Sequence, residues 1–513
     1  MSTNVKATVN NLFFGYSNII LLIIKNIVII PFYLKFFTLS TIGLWLAASN
    51  VLTILSSIDL GLNIVLTQKL ATVKLSMKDN TFMKIFSSGM LIFTIISVVF
   101  FILSFVYINF ISKIFTIQLG FEHDLTISLL FTAVGLSLNI LIQAFTSMFQ
   151  ALKVTFGTGL SNLLSNFLEV IALFFLLFNT KSIISIGLSI FIASIFNFIL
   201  HFILYKKLCI SLRLPRASFD YAIVKLLFTS SVPLFFSRIT RALMNNSQAT
   251  ILSIFVNNQS AAIFEISVKL YKTAIMFLAP IGSSIFSSIA SSFSIVQYDL
   301  NEMTNFRFKI KRIIMFFLLL SIFIFSYVII VNYNFIAIWS GKNSYGGVIL
   351  TLICFFSFFF QTITRFLTFI LNSLGIISVI SKFEIFEMAL RIILLFIFVK
   401  TFGIYGIPIS EVISTGLILI PKIIIEINKQ IHFNFYFIKY LRSESSLLLL
   451  PLLSMIIACF YSINFDTFSS LVYTTITYIF LSSIILLFFS NTFKSIVFSY
   501  FKNKSITKAV LGK

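Results

Sequence analysis

The stretch IFSSGMLIFTIISVVFFILSFVYINF, residues 85–110, contains no charged side chain and only a few small polar ones. A helix of about 20 apolar residues crosses the roughly 30 Å hydrocarbon core of a bilayer. The stretch therefore predicts a membrane-spanning helix. Similar runs recur along the whole chain, and about fourteen can be distinguished. They lie near 12–34, 41–66, 85–110, 127–149, 158–178, 183–205, 226–256, 262–290, 313–338, 347–372, 379–400, 404–427, 446–464 and 470–491.

The composition agrees with this pattern. Hydrophobic residues make up 59% of the 513 residues and charged residues only 10%, against about a quarter in soluble domains. The longest stretches between predicted helices, near 206–225, 291–312 and 428–445, are too short to form a separate soluble domain. The sequence predicts an all-α polytopic membrane protein.

The basic residues orient the predicted helices. With the N-terminus in the cytoplasm, most of the 37 Lys and Arg residues fall in cytoplasmic loops, as the positive-inside rule requires. An even number of helices then places both termini in the cytoplasm. The net charge of +22 lies mostly in these cytoplasmic loops, where it faces anionic lipid headgroups. Nucleic-acid binding is therefore not expected.

A weak internal repeat divides the chain. Glu169 and the later Ile186-Gly-Leu-Ser189 correspond to Glu387 and the later Tyr405-Gly-Ile-Pro408. Halves with an even number of helices are parallel, and transporters built this way bind substrate where the repeats meet. We predict an N-terminal six-helix half, a C-terminal six-helix half, and two additional helices with a basic cytoplasmic tail. These segments are 1–215, 216–430 and 431–513.

Seven cations lie inside the predicted membrane helices. They are Lys25, Arg238, Arg241, Lys269, Lys272, Arg365 and Arg391. A cation at the bilayer centre costs roughly 2.5–3.5 kcal/mol, and such residues usually serve a function. Together they indicate a positively charged cavity between helices, which suits an anionic ligand. The five candidate ligands are Lys25, Arg238, Arg241, Lys269 and Lys272.

Three of these predicted roles have structural alternatives. Lys25 could extend its ammonium group to the outer headgroups, and Arg365, near the cytoplasmic end of its span, could reach the inner headgroups in the same way. Arg238 and Arg241 are three residues apart and share a helix face, so they could instead hold a kinked helix.

Acidic residues provide further alternatives. Glu265 lies one turn before Lys269 and could neutralise it, whereas Lys272 is expected to have no acidic neighbour. Arg391 follows Glu387 by four residues, which favours a salt bridge within one helix over a ligand role.

Two more acids are candidates for gating or ion coupling, together with Glu265. Asp59 could pair with a basic residue at the inner mouth or act only at its helix end. Glu169 could pair with a cavity cation or carry a proton. The scattered His and Cys residues predict no metal site, and no motif predicts a cofactor or a catalytic centre.

Several segments resemble a known family. Gly43-Leu-Trp45 with Ser57-Ile-Asp-Leu-Gly-Leu62 is similar to the second helix of the Wzx-type polysaccharide flippases. Ala262-Ile-Phe-Glu-Ile-Ser-Val-Lys-Leu-Tyr271 with Ala279-Pro-Ile-Gly282 resembles their eighth helix. Phe402-Gly-Ile-Tyr-Gly-Ile407 resembles the turn between helices 11 and 12. These flippases belong to the MATE-like superfamily of multidrug, oligosaccharidyl-lipid and polysaccharide exporters.

One feature departs from the family. The end of the eighth helix is rich in serine between Ser283 and Ser294 and lacks the proline often found there. The departure leaves the fold intact and bears only on the subfamily.

The resemblance implies a non-enzymatic flippase of the bacterial cytoplasmic membrane. Its substrate would be an undecaprenyl-pyrophosphate-linked oligosaccharide, an O-antigen or capsular repeat unit. Membrane lipids and the polysaccharide polymerase machinery would be its other partners. The pyrophosphate would bind the cations, and the sugars would contact polar residues such as Asn245, Asn246 and Gln248.

Two other functions remain open at this stage. A cation-coupled multidrug exporter of the same fold would be expected to have an acidic cavity. A membrane-bound polysaccharide polymerase or ligase would be expected to carry a large outer loop with basic catalytic residues, whereas the outer loops here are short.

Overall fold

The fold is given by a computed structural model. It describes residues 3–57, 61–73, 80–117, 120–212, 215, 219–296, 300–374, 377–431, 446–461, 468–490 and 493–494. The regular elements in these ranges are all helical. The predicted all-α polytopic fold is confirmed.

The helices of the first half of the chain are mostly long. They are α1 (Thr3–Phe36), α2 (Leu39–Ser56), α3 (Leu62–Thr72), α4 (Thr81–Asn109), α5 (Ile111–Ile114), α6 (Glu122–Ala151), α7 (Thr155–Thr180), α8 (Ile184–Ser211), α9 (Tyr221–Phe255) and α10 (Asn258–Ser267).

The later helices include one π-helical segment. They are α11 (Lys269–Val296), α12 (Leu300–Trp339), α13 (Val348–Ser373), α14 (Ile377–Phe402), α15 (Gly406–Glu411), the π segment (Val412–Leu419), α16 (Ile420–Ile431), α17 (Ser446–Tyr461) and α18 (Phe468–Phe489). Short 3₁₀ turns occupy Lys342–Ser344 and Gly403–Tyr405.

Ten segments of the described chain are long and apolar enough to cross a membrane. One of them, Lys382–Ile431, is a hairpin of two membrane helices, because the chain reverses at the turn Gly403–Tyr405. The remaining predicted spans correspond to α9, α11 and α17, which have 35, 28 and 16 residues. The described helices thus account for the predicted number of spans.

The first compact unit of the chain is Met1–Ala262. Its core combines buried residues of α2, α6 and α7, including Trp45, Leu129 and Leu177. Leu66 of α3 joins a second core cluster, with Phe93 of α4 and Met148 of α6. Close packing of this kind is needed because lipid tails provide no hydrophobic driving force between membrane helices.

The second compact unit is Ile263–Lys513. In it, α17 and α18 pack against α12. The Tyr478 side chain is fully buried there, and its hydroxyl donates a hydrogen bond of 2.7 Å to the carbonyl oxygen of Phe323. Ile330 and Ile457 complete this apolar cluster. The two last helices are therefore packed parts of this unit.

Two predicted continuous spans are each formed by two helices. The span predicted at 41–66 consists of α2 and α3, and Gly61 precedes α3 in the left-handed region, with φ 63°. Glycine adopts this conformation without the steric cost that other residues meet. The span predicted at 262–290 is divided at Val268, between α10 and α11. Both divisions lie beside predicted site residues.

Candidate functional site

Lys25 and Glu169 form an ion pair near the middle of two membrane helices. Lys25 lies on α1 and Glu169 on α7, and the Lys25 Nζ is 2.5 Å from the Glu169 Oε1. The side chains are 18% and 17% exposed. The sequence leaves open whether Glu169 pairs with a cavity cation or carries a proton, and in the structure it pairs with Lys25. The contact also satisfies Lys25 without an extension to the headgroups.

Arg238 contacts the polar start of α3. It is half-buried on α9, and its Nη2 donates a hydrogen bond of 3.0 Å to the Oδ1 of Asn63. The Asn63 carbonyl oxygen in turn accepts a 3.1 Å hydrogen bond from Ser147 of α6. Arg241, one turn later on α9, is exposed. Arg238 is thus positioned by α3, while Arg241 extends from the same helix.

Lys272 and Glu265 form a second ion pair. The Nζ of Lys272 lies 2.9 Å and 2.8 Å from the two carboxylate oxygens of Glu265. The prediction that Lys272 has no acidic neighbour is therefore wrong. It considered only neighbours one helical turn away, whereas Glu265 lies two turns before Lys272 and the two long side chains meet beside the one-residue interruption at Val268. Lys269 is half-buried at the start of α11.

The remaining predicted site residues are placed as follows. Asp59 lies outside the described residues, and its gating role stays a prediction. Asn245 is exposed on α9, Gln248 is buried, and the Nδ2 of Asn246 donates to the carbonyl oxygen of Ala242 in its own helix. Arg365 is exposed on α13.

The most buried charged cluster lies on α14 and α15. Arg391 Nε and Nη2 lie 2.9 Å and 2.8 Å from the Oε1 of Glu387, which confirms the predicted salt bridge within α14. Arg391 Nη1 also lies 3.4 Å from the Oε1 of Glu411 at the end of α15. All three side chains are at most 4% exposed. We refer to Glu387, Arg391 and Glu411 as the buried triad.

Hydroxyl and amide groups surround the buried triad. Ser414 and Thr415 of the π segment donate hydrogen bonds of 2.8 Å and 3.2 Å to the Oε1 of Glu387. On α13, Ser357 donates a short hydrogen bond to the Oε2 of Glu411, and the Nε2 of Gln361 donates another of 2.8 Å. Such donors lower the cost of holding charge inside a membrane.

Glu411 is the functional candidate that the sequence prediction missed. It is an acid in an apolar span with no oppositely charged residue within four positions, so no local pattern identifies it. The signal lies in the hairpin. The chain turns back at Gly403–Tyr405, and Glu411 beyond the turn then reaches Arg391 before it.

Side-chain amides form a polar row among α1, α7 and α8. The Nδ2 of Asn197 donates to the Oδ1 of Asn162 at 3.2 Å. The Nδ2 of Asn166 donates to the Oδ1 of Asn18 at 3.4 Å. Asn162, Asn166 and Glu169 share one face of α7, since they are separated by four and three residues. We refer to Asn18, Asn162, Asn166 and Asn197 as the amide row.

Three buried hydrogen-bond acceptors lie on α6 and α8. The Oδ1 of Asn197, the Oε1 of Gln143 and the Nε2 of His201 have no hydrogen-bond partner within the described part of the chain. His201 instead contacts the carbonyl oxygen of Asn197 through its Nδ1, at 2.9 Å. Buried polar groups are usually paired, so these atoms mark a place for water or for polar ligand groups. Across the described ranges, no group of three His, Cys, Asp or Glu residues could hold a metal ion.

Comparison with known proteins identifies the family. The family model described as "Polysaccharide biosynthesis protein" matches residues 26–291, which is just over half of the chain. The chain belongs to this family. No protein of curated function matches the sequence significantly.

Solved structures show the same fold at low sequence identity. The lipid II flippase MurJ in an inward closed conformation superposes with a TM-score of 0.69 at 15% identity, covering 96% of this chain and 100% of that one. An inward-facing multidrug resistance MATE family transporter gives 0.63 at 10% identity, covering 79% and 98%. The Vibrio cholerae MATE transporter VcmN gives 0.55 at 12% identity, covering 84% and 98%. These similarities establish a MATE-like fold.

Proposed function

We propose that this protein is a flippase for an undecaprenyl-pyrophosphate-linked oligosaccharide, an O-antigen or capsular repeat unit. It carries this lipid across the bacterial cytoplasmic membrane, with both termini in the cytoplasm and without making or breaking covalent bonds. The predicted six-helix halves, 1–215 and 216–430, are its moving parts in alternating access. Family membership supports the pathway, and the intramembrane cations support the anionic substrate.

The observation that carries the proposal is that two lysines inside membrane helices are each paired with a carboxylate. Lys25 and Lys272 are only partly exposed, and each is paired with a carboxylate, Glu169 and Glu265 respectively. An unpaired ammonium inside a membrane is costly, so the carboxylates act as resident counter-ions while no substrate is bound. A pyrophosphate can replace each carboxylate with a stronger, doubly charged partner.

Arg238 and Arg241 supply a different kind of contact. A guanidinium group binds phosphate oxygens through two parallel hydrogen bonds, whereas an ammonium group acts as a point charge. Arg238 is held by Asn63 at a defined position, and Arg241 is exposed on the same helix. We assign these arginines to orientation of the pyrophosphate. Lys269, at the start of α11, contributes positive charge.

The sugars require polar contacts of a different type. Amide side chains can donate to and accept from sugar hydroxyls at the same time. The amide row and Asn245 are the strongest candidates in the first compact unit, since the row lies on the α7 face that also carries Glu169. In this arrangement the pyrophosphate binds at Lys25 and the first sugars contact the amide row.

The proposal is tested with the purified protein in proteoliposomes. A fluorescent undecaprenyl-pyrophosphate oligosaccharide is placed in one leaflet, and its transfer is followed by quenching from the other side. The proposed flippase accelerates transfer, and the corresponding monophosphate-linked lipid is transferred more slowly. Cation-driven efflux of a cationic dye without lipid transfer would instead assign the protein to the multidrug exporters.

A further inference from the structure

A small polar cavity lies near the end of α12 in the second compact unit. Tyr333 and Asn334 of α12 line it, together with Tyr345 beyond the 3₁₀ turn and Val348 and Thr351 of α13. Two isoleucines of α12 complete its apolar wall. The space inside corresponds to about one water molecule. We refer to this cavity as the tyrosine pocket.

The side-chain amide of Asn334 lines the tyrosine pocket without a partner. The residue is 1% exposed, and neither its Oδ1 nor its Nδ2 has a hydrogen-bond partner among the residues that the structure describes. An amide can donate hydrogen bonds through its nitrogen and accept them through its oxygen, and a buried amide that makes none is unfavourable. A ligand that donates and accepts at the same time would satisfy it, and a hydroxyl group does both.

Hydrogen bonds within the protein hold the wall of the pocket on the side of α13. The hydroxyl of Thr351 donates to the carbonyl oxygen of Gly347 at 3.1 Å and accepts from the Nδ2 of Asn332 at 3.2 Å. The hydroxyl oxygens of Thr351 and Tyr345 also lie 3.0 Å apart. Asn332 and Thr351 are 0% and 2% exposed. This wall is therefore fixed around the unsatisfied amide of Asn334.

The lining of the pocket favours a neutral ligand. None of the described residues that line it carries a charge, so a pyrophosphate would lose its water there without gaining a cation. The rings of Tyr333 and Tyr345 pack edge to face with centroids 5.2 Å apart, and both residues are only partly buried. Tyrosine combines an apolar ring with a hydroxyl group. This combination suits a sugar, because a sugar has apolar C–H groups beside its hydroxyls.

We propose that the tyrosine pocket binds the sugar part of the transported lipid through one hydroxyl group. The hydroxyl reaches the amide of Asn334. The sugar ring remains beside Tyr333 and Tyr345, because the cavity has space for little more than the hydroxyl. A water molecule takes the same place when no sugar is bound. The identity of the ligand rests on the proposed function, and the pocket adds a sugar contact in the second compact unit to the amide row of the first.

The place of the pocket along the chain agrees with this role. In the proposed topology the N-terminus is cytoplasmic, so α12, which is the ninth predicted span, ends on the outer side of the membrane. The turn Lys342–Ser344 and the start of α13 at Val348 then lie on that side as well. The sugars arrive there when the lipid is carried outwards. The pocket thus offers the oligosaccharide a hydrogen bond on the side to which it is delivered.

Free monosaccharides test the pocket without the lipid. Tyr333 is replaced by fluorotyrosine, and fluorine NMR of the purified protein in lipid nanodiscs follows titrations with glucose, galactose, mannose, rhamnose, N-acetylglucosamine and N-acetylgalactosamine. We expect at least one sugar to shift the resonance saturably. We expect Asn334→Leu to raise the dissociation constant about 10-fold, because leucine is of similar size and makes no hydrogen bond. Asn343→Leu, at an exposed position in the 3₁₀ turn, is the matched control and keeps the affinity.

Two results would overturn the sugar site. One is a fluorine resonance that none of these sugars shifts, and the other is an equal affinity with and without Asn334→Leu. Either result leaves water as the occupant of the pocket. Each variant is first checked for a cooperative melting transition. If Asn334→Leu does not fold, Asn334→Ala makes the same comparison.

Lipid transfer separates failure of the pocket from failure of the proposed function. In proteoliposomes we expect Asn334→Leu to slow transfer of the lipid-linked oligosaccharide, while undecaprenyl pyrophosphate without sugars competes equally well in the variant and in the wild type. Transfer by the variant at the wild-type rate would contradict a role of the pocket in transport. Absence of transfer by the wild type, alongside a sugar affinity that depends on Asn334, would reject the flippase and leave the sugar site standing.

Discussion

Glu265 and Lys272 form a two-point ion pair across a one-residue interruption between two helices. The Nζ of Lys272 lies 2.9 Å and 2.8 Å from the two carboxylate oxygens, while Val268 separates α10 from α11. On a continuous helix, seven residues would separate the two Cα atoms by about 10.5 Å along the axis. The lysine remains 29% exposed, so an anion can reach it and displace the carboxylate.

Removing the ammonium of Lys272 tests its role as a ligand. We expect Lys272→Ala to slow lipid transfer about 10- to 100-fold, because a hydrogen bond to a charged group is worth about 1.5–3 kcal/mol. Lys272→Arg keeps the charge and retains most of the transfer. Lys207→Ala, at an exposed site near the end of α8, is the control. Unchanged transfer by Lys272→Ala would make this pair purely structural.

The Lys25–Glu169 pair predicts thermodynamic coupling between α1 and α7. In a double-mutant cycle with Lys25→Ala and Glu169→Ala, we expect a coupling energy on the order of 1 kcal/mol in the free energy of unfolding. The partial burial of both side chains places the value above that of fully exposed pairs. Additive effects of the two substitutions would show that the contact contributes nothing to stability.

Loss of Arg391 removes the guanidinium group that pairs with both buried carboxylates. We expect Arg391→Leu to lower the free energy of unfolding by about 3–5 kcal/mol. Adding Glu387→Gln and Glu411→Gln to this variant restores part of the loss, since no charge then remains buried. Lys382→Leu, an exposed cation on the same helix, serves as the control. Denaturant titration in detergent measures the free energy of unfolding of all three variants. If Arg391→Leu lowers it no more than Lys382→Leu does, the burial argument is contradicted.

The close approach at Gly43 predicts that the contact between α2 and α10 does not tolerate a larger side chain at this position. A Cβ added at Gly43 would overlap the backbone carbonyl oxygen of Asn258, whereas one added at Gly15 meets no atom within 4 Å. We expect Gly43→Ala to lower the melting temperature and Gly15→Ala to leave it equal or higher. Alanine is the better helix former by about 1 kcal/mol. Equal melting temperatures would show that α2 and α10 can separate at little cost.

The fold was largely predictable from the sequence, but most pairings between helices were not. Apolar runs identify membrane helices locally, and the Arg391–Glu387 bridge follows from a spacing of four residues on one helix. Lys25 and Glu169 are recognisable as intramembrane charges, yet their contact depends on the packing of α1 against α7. The separation of two residues in the sequence does not indicate which helices pack against each other.

Two other contacts are not predicted by helical spacing alone. Lys272 reaches Glu265 two helical turns away, beside the interruption at Val268, and the turn at Gly403–Tyr405 brings Glu411 to Arg391. Apolar residues continue through Val268, so the pattern predicts an uninterrupted helix there, whereas the turn near Gly403–Tyr405 is predicted and only the partners that meet across it are not. Charged residues near such breaks consequently acquire partners that helical spacing alone does not suggest.

The central claim is that intramembrane cations bind the pyrophosphate of a lipid-linked oligosaccharide. Its most direct test compares lipid transfer by the wild type with transfer by the double variant Arg238→Ala/Arg241→Ala in proteoliposomes. Both proteins are matched for amount and melting behaviour, and Lys207→Ala is run beside them. We predict that the wild type and the control transfer the fluorescent lipid, while the double variant loses at least 10-fold in rate, or about 1.4 kcal/mol in barrier height. Equal transfer by a correctly folded double variant would contradict the claim.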